Sequence, residues 1–331
     1  MKRWQRNGLA IAGWLVPMLP HVPLARAQEV ADDLQVERDS VEIAPHRGVR
    51  IRALDVENRL GDVTVLGHDA PSVTLSVVKR APDGETLDRL KVNLVPDPAG
   101  SIHVGTALLI GKEARPIPVG SVRIDLALAV PRDARVEIRA WNGKLTVAGI
   151  RGGARLSANE GEITVTDVRG TVATSNARGR QELRAVRGAV ALGNAFGEVS
   201  LDEISGDSLA ASVHEGTVVA TQVRSSHVKI RTTYGQVLFQ GELLAGGRYD
   251  IRSYQGDITI RFRQGPKVAL EAISRDGVVE SHLDDSQMDL AGASTRPAGR
   301  LVGTYGSSRR KPALLEVLSV TGRVTLGLLN E

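Results

Sequence analysis

Beyond its first segment the chain carries six histidines: His46, His68, His103, His214, His227 and His282. None shares HxH or HExxH spacing, which would set two imidazoles on one face for a metal ion, so they read as solvated turn or strand residues. The densest acidic group is Glu280, Asp284, Asp285 and Asp289. Stacked carboxylates can hold calcium for work on a polysaccharide, but these fall in a stretch without regular patterning and read as a solvated loop. The calcium-binding nonapeptide GGxGxDxUx is missing, as are GxSxG, the P-loop and a GxGxxG between strand and helix. The chain has no cysteine, which excludes thiol catalysis and thiolate metal sites. No catalytic residue, cofactor or metal is therefore expected. The basic run SSRRK at 307–311 could meet an anionic surface but reads as a short polar loop. What remains is a set of aromatics. Trp141, Phe196, Tyr234 and Tyr254 each lie one or two residues before a regularly spaced glycine. Aromatics exposed in a row can stack on sugars or fill a partner's pocket, and they form the candidate binding edge. The competing reading is that each ring shields its own turn.

The glycines belong to an internal repeat that any such edge must ride on. Gly143, Gly161, Gly179, Gly197, Gly216, Gly235 and Gly256 are separated by 18, 18, 18, 19, 19 and 21 residues. A second glycine, Gly152, Gly170, Gly188 or Gly206, closes each of the first four copies. Self-similarity at this period marks a unit that buries its apolar face only by stacking on its neighbours. Before each anchor glycine come alternating apolar residues, such as Val136 and Ile138 or Val190 and Leu192; after it come Leu145 and Val147 or Val199 and Leu201. That period of two is the strand period, and β-branched residues dominate it. Each unit is thus strand, turn, strand, turn. Equivalent residues match from unit to unit better than facing strands match within one. The expected fold is therefore all-β, a single-stranded parallel β-helix or β-roll solenoid with coils of about 18 residues and strand-rich caps; a twisted antiparallel sandwich is the alternative. Position minus three from the anchor is small or polar (Ala140, Ala158, Asn176, Asn194), so stacking would build a partial asparagine ladder. Gln181 breaks the apolar pattern at an inward position and weakens the register of its copy.

Residues 1–27 read as a secretory signal peptide: Lys2, Arg3 and Arg6, an apolar core, then Ala25-Arg26-Ala27 before Gln28. The apolar run is shorter than the ~20 residues a bilayer span needs. The arginines are not paired as a twin-arginine signal requires, so the general secretory route is expected, to the periplasm or the cell surface. Removal of this segment takes away four of the 42 Lys and Arg and none of the 38 Asp and Glu, leaving a net charge of zero. A basic nucleic-acid footprint is then unsupported. No further transmembrane segment and no nucleic-acid partner are expected.

Along the chain, 28–40 reads as a flexible lead-in, 41–135 as an N-terminal strand-rich cap with early coils, and 136–280 as the regular repeats. Residues 281–331 read as an irregular loop followed by a closing coil around Gly322. Caps are needed because the ends of a coil expose unpaired strand edges.

The phrase VPRDARVEIRAWNGKLTVAGIRG, with ENRLGDVTV at Gly61, SANEGEITV at Gly161, SYQGDITI at Gly256 and SVTGRVTL at Gly322, resembles the units of a bacterial family known as "putative adhesins". The resemblance spans 41–328. It implies an exported β-helical protein and carries over no catalytic or ligand residue. The expected function is a non-enzymatic surface, adhesive or structural, at the cell envelope, with an envelope, glycan or protein partner. The alternatives are a carbohydrate-active lyase or hydrolase on a β-helix, which needs two carboxylates across a groove, and a periplasmic partner of an envelope sensor.

Overall fold

The alternating segments form strands where the period of two expects them. The computed structural model describes residues 34–45, 48–109, 120–290 and 299–329; residues 1–27, expected as a signal peptide, residues 28–33 of the expected lead-in, and His46 lie outside them. In chain order the N-terminal region holds β1 (Gln35–Ile43), β2 (Ala53–Asn58), β3 (Val63–His68), β4 (Val73–Ala81), the short helix α1 (Gly84–Arg89), β5 (Leu90–Pro96), β6 (Ser101–Leu108) and β7 (Arg123–Pro131). The repeats hold β8 (Arg135–Asn142), β9 (Leu145–Ala148), β10 (Ala154–Glu160), β11 (Ile163–Arg169), β12 (Val172–Arg178), β13 (Gln181–Arg187), β14 (Val190–Phe196), β15 (Val199–Glu215), β16 (Val218–Tyr234), β17 (Val237–Gly241), β18 (Arg248–Gln255) and β19 (Ile258–Phe262). After them come β20 (Val268–Ser274), β21 (Val279–Ser281), β22 (Met288–Leu290), β23 (Arg300–Tyr305), β24 (Ala313–Thr321) and β25 (Val324–Leu328).

These strands pair into one long, mainly parallel sheet. Pairing skips one strand at a time. β8, β10, β12, β14 and the second half of β15 form one ladder, while β9, β11, β13 and the first half of β15 form another. The register is one unit: Val136 faces Ala154, Ala154 faces Val172, and Ile163 faces Gln181. Residues of a unit therefore meet their equivalents one copy away and not each other across a hairpin. Inward columns such as Val136, Ile138, Leu145, Val147, Ile163 and Val165 are buried. Gln181 does face inward and keeps its register between Ile163 and Val199. It is fully buried, and its Nε2 donates to the Gly193 carbonyl at 2.7 Å.

Both ends differ from simple sequential stacking. The first unit, β2 and β3, lies between β6–β7 and β8–β9. The last, β24 and β25, lies between β18–β19 and β20–β21. The copy around Gly322 is thus an interior rung and not the closing one. Paired on both edges, it satisfies its backbone twice over and buries Leu315, Val317 and Leu326. The segment after Ser281 is also less irregular than expected: β23 pairs antiparallel with β20 and β22 and covers that end. At the other end β1 runs antiparallel along all of β4, so the lead-in expected over 28–40 stops short of Gln35. An edge strand needs only backbone partners, and the polar sequence QVERDSVEI is mostly exposed.

Candidate binding edge

Each strand of the first ladder ends at its anchor glycine, and these glycines stack. Gly161, Gly179, Gly197, Gly216 and Gly235 have φ between 131° and 152°. A methyl group on any of them would overlap the carbonyl oxygen of the glycine one rung back. Glycine is required here twice over, by φ and by the close approach of two backbones. Under the turn the column Ala140, Ala158, Asn176, Asn194 and Val213 is in register, as expected. The asparagines do not satisfy one another, however. Asn176 Nδ2 donates to the Gly161 carbonyl at 2.8 Å, and Asn194 Nδ2 to Gly179 and Gly197, both at 3.1 Å. Ser253 and Ser319 hydroxyls repeat the contact to Gly235 and Gly256. At Asn176, Asn194, Ser253 and Ser319 the side chain three before the turn thus ties down the peptide that glycine leaves unprotected.

All four aromatics lie outside the core at this edge: Trp141 is 61% exposed, Tyr254 56%, Tyr234 44% and Phe196 42%. Phe196 and Tyr234 occupy one register column, both opposite Glu215 on the rung between them. Between their rings stands His214. Its imidazole meets Phe196 edge-on at 5.9 Å and Tyr234 at 5.6 Å between centroids. Sequence reasoning set His214 aside as a solvated turn or strand residue, and it does lie in β15. The signal that finds it is its place two residues before Gly216, where Trp141 and Tyr254 stand in their own units. Tyr254 follows one rung after Tyr234, and no ring contact joins them among the described residues. Trp141 stands three rungs before Phe196, ~14 Å away at the rung spacing of a sheet. The expected row of four is therefore a packed trio, a neighbour and an outlier.

Beside the trio the outer sheet face is shallow. Ser175, Ala177, Gly193, Ala195 and Ser212 line an open depression of about 480 Å³ whose wall is His214. Small floor residues and a ring wall suit the flat face of a sugar: apolar contact to the ring, hydroxyls left in water.

The other candidates stay apart. Asp284 caps a short 3-10 turn, Asp285–Gln287, and accepts from Ser286 N at 2.9 Å; hydrogen bonds from the Ser286 side chain and backbone hold its carboxyl below the usual range. Glu280 pairs with Arg323 at 3.4 Å. His103 lies 3.5 Å from Asp55, and His227 contacts Ser226. Among the described residues no group of three or more His, Asp or Glu could hold a metal ion. No helix among them is long and apolar enough to cross a membrane.

The model of the family described as Toastrack DUF4097 matches residues 105–311. No curated protein matches the chain. Solved structures similar to it include a "putative adhesin" from Bacteroides fragilis, at 10% identity over 90% of this chain and 98% of that one, TM-score 0.39. A "putative adhesin" from Parabacteroides distasonis is also similar, at 10% identity over 89% and 97%, TM-score 0.31. A third is a "putative cell adhesion protein" from Clostridium sporogenes, at 10% over 89% and 100%, TM-score 0.24.

Proposed function

The chain belongs to the Toastrack DUF4097 family, and from that premise we propose that it is an exported, non-enzymatic β-solenoid that serves as an adhesin-like binding surface at the cell envelope. The unit-to-unit parallel register supports the coil. The leader-like 1–27 segment supports export. The absence of cysteine is compatible with an oxidising compartment, because a continuous parallel core holds together without disulfides.

One observation carries the binding reading. The Phe196–His214–Tyr234 stack is exposed on a sheet whose backbone is rigidly registered, beside a depression floored by small residues. Core packing does not need these rings, and an exposed aromatic cluster costs solubility unless it meets a partner. A lyase or hydrolase reading would need two free carboxylates facing across a groove. In the deeper clefts, Glu242 is held by Arg224 at 3.0 Å and Asp69 by Arg132 at 3.0 Å.

The test is a Trp141→Ser, Phe196→Ser, Tyr234→Ser, Tyr254→Ser variant probed on a glycan array alongside a thermal melt. Expected is a loss of glycan capture of about tenfold or more, as for aromatic hot spots, at an unchanged melting temperature. A large fall in melting temperature would return the rings to a packing role and end the binding reading.

A further inference from the structure

The opposite edge of the repeat carries a second recurring pattern. There the chain turns through one residue in the left-handed region on each rung: Gly149 at φ 70°, Asp167 at 49°, Ala185 at 53°, Glu203 at 54° and Gln222 at 52°. The next residue, Ile150, Val168, Val186, Ile204 or Val223, is buried. The one after it is Arg151, Arg169, Arg187, Ser205 or Arg224, and points out. Arg169 and Arg187 are direct register partners, and Arg169 N donates to the Ile150 carbonyl at 2.8 Å, which sets Arg151 on the rung before. Arg151 N in turn donates to the Arg132 carbonyl. At its N-terminal end this column runs into a cleft of about 480 Å³ lined by Arg50, Arg52, Arg132, Arg151, His68, Asp69 and Asp133. The stripe from Arg132 to Arg187 covers four rungs, ~14 Å.

Like charges stacked on neighbouring strands repel, and elsewhere this sheet avoids the problem. Arg178 pairs with Glu160 one rung away at 3.2 Å, Lys144 with Glu162 at 3.1 Å, Arg184 with Asp202 at 3.7 Å and Arg231 with Asp250 at 3.4 Å. In the stripe only Arg132 is paired, to Asp69. Arg50, Arg52, Arg151, Arg169 and Arg187 have no ion-pair partner among the described residues, although Asp133 lines the cleft and Asp167 stands two residues before Arg169. Three successive rungs of the column, Arg151, Arg169 and Arg187, thus stay unneutralised, while Arg224 further along pairs with Glu242 at 3.0 Å.

We infer that this arginine edge binds a linear carboxylated polysaccharide, one uronate unit per rung, with the cleft at Arg50, Arg52, Arg132 and Arg151 taking the end or a bend of the chain. Every cation of the stripe is arginine, whose planar fork engages a carboxylate through two hydrogen bonds. A repeating ladder of donors suits a polymer that repeats its own charge. A single-stranded nucleic acid is disfavoured: it would need aromatic platforms for its bases, and the exposed rings among the described residues lie on the other edge. The site is separate from the aromatic edge and stands whether or not that edge binds.

The experiment titrates the full chain with polygalacturonate, with dextran, polyphosphate and single-stranded DNA as separate arms. Expected is saturable binding of polygalacturonate, none of dextran, and loss in about 1 M salt, where the screening length falls to ~3 Å. The variant Arg151→Gln, Arg169→Gln, Arg187→Gln should bind about tenfold or more weakly, ~1.4 kcal/mol, while melting as the wild type does. Removing the paired arginines, Arg178→Gln, Arg231→Gln, Arg252→Gln, should leave affinity within about twofold, as expected for exposed paired charges. The inference is overturned if polygalacturonate does not bind, if both triple variants lose equally, or if polyphosphate or DNA binds more tightly.

Discussion

The two edges of the repeat share a glycine stack and differ in what surrounds it. At the aromatic edge each turn needs a glycine, because the carbonyl of the preceding rung occupies the place of a side chain. At the arginine edge Gly170, Gly188 and Gly206 stack as well, and a methyl group on Gly188 or Gly206 would overlap the carbonyl of the glycine one rung back; three residues earlier, however, the chain passes through a left-handed position that is not restricted to glycine, where Asp167, Ala185, Glu203 and Gln222 all serve. The first edge is fixed by packing and tolerates almost no variation at the turn glycine itself, so the residues that vary there are those just before it. The left-handed position of the second edge tolerates variation, so an arginine two residues after it on three successive rungs, Arg151, Arg169 and Arg187, calls for a reason outside the fold.

The largest expected break in this contrast is Gly179→Ala. The methyl group meets the Gly161 carbonyl at φ 132°, and relief requires two stacked rungs to part. A destabilisation of more than about 3 kcal/mol, or failure to fold, is expected in denaturant melts; a loss under about 1 kcal/mol would mean that the glycine stack is not obligatory. Next is Asn194→Ala, which removes both donors that hold Gly179 and Gly197. About 1–3 kcal/mol should be lost, and more than at Ser253→Ala, which removes one such bond.

Tyr249 sharpens the contrast where the repeat loosens, between β17 and β18. Its hydroxyl accepts from Leu244 N at 2.7 Å and donates to the Ser225 carbonyl at 3.0 Å, and burial pushes its pKa above the usual tyrosine value. The folded state therefore favours the protonated phenol. Its contribution is fully present below the unfolded pKa and is lost as pH rises through the folded one. Stability should fall in the alkaline range, and Tyr249→Phe, though about 1 kcal/mol less stable at neutral pH, should flatten that fall. The smallest effect is at the tolerant corner: Ala185→Gly relieves a left-handed alanine and should stabilise by about 0.5–1 kcal/mol, the opposite sign to Gly179→Ala.

Much of this was legible because the repeat prints its own register. Period two fixed the strands, the 18-residue spacing fixed which residues meet, and the inward columns followed. Three features were hidden, each for a physical reason. The insertion of β2–β3 and β24–β25 one rung inward depends on contacts between segments far apart in sequence, which local pattern does not encode. β1 carries no apolar face because an edge strand earns its place through backbone hydrogen bonds. The contact of His214 with Phe196 and Tyr234 arises only when neighbouring columns stack. The arginine column, by contrast, could have been read: Ile150-Arg151, Val168-Arg169, Val186-Arg187 and Val223-Arg224 recur in phase with the glycines.

The most direct measurement is a cross-titration of the aromatic-edge Ser variant and the arginine-edge Gln variant against array-selected neutral glycan and polygalacturonate. Two independent binding edges on one scaffold require that the first variant lose only the neutral glycan and the second only the polyuronate, with both melting like the wild type. Equal loss of both ligands in either variant, or no loss in both, would contradict it.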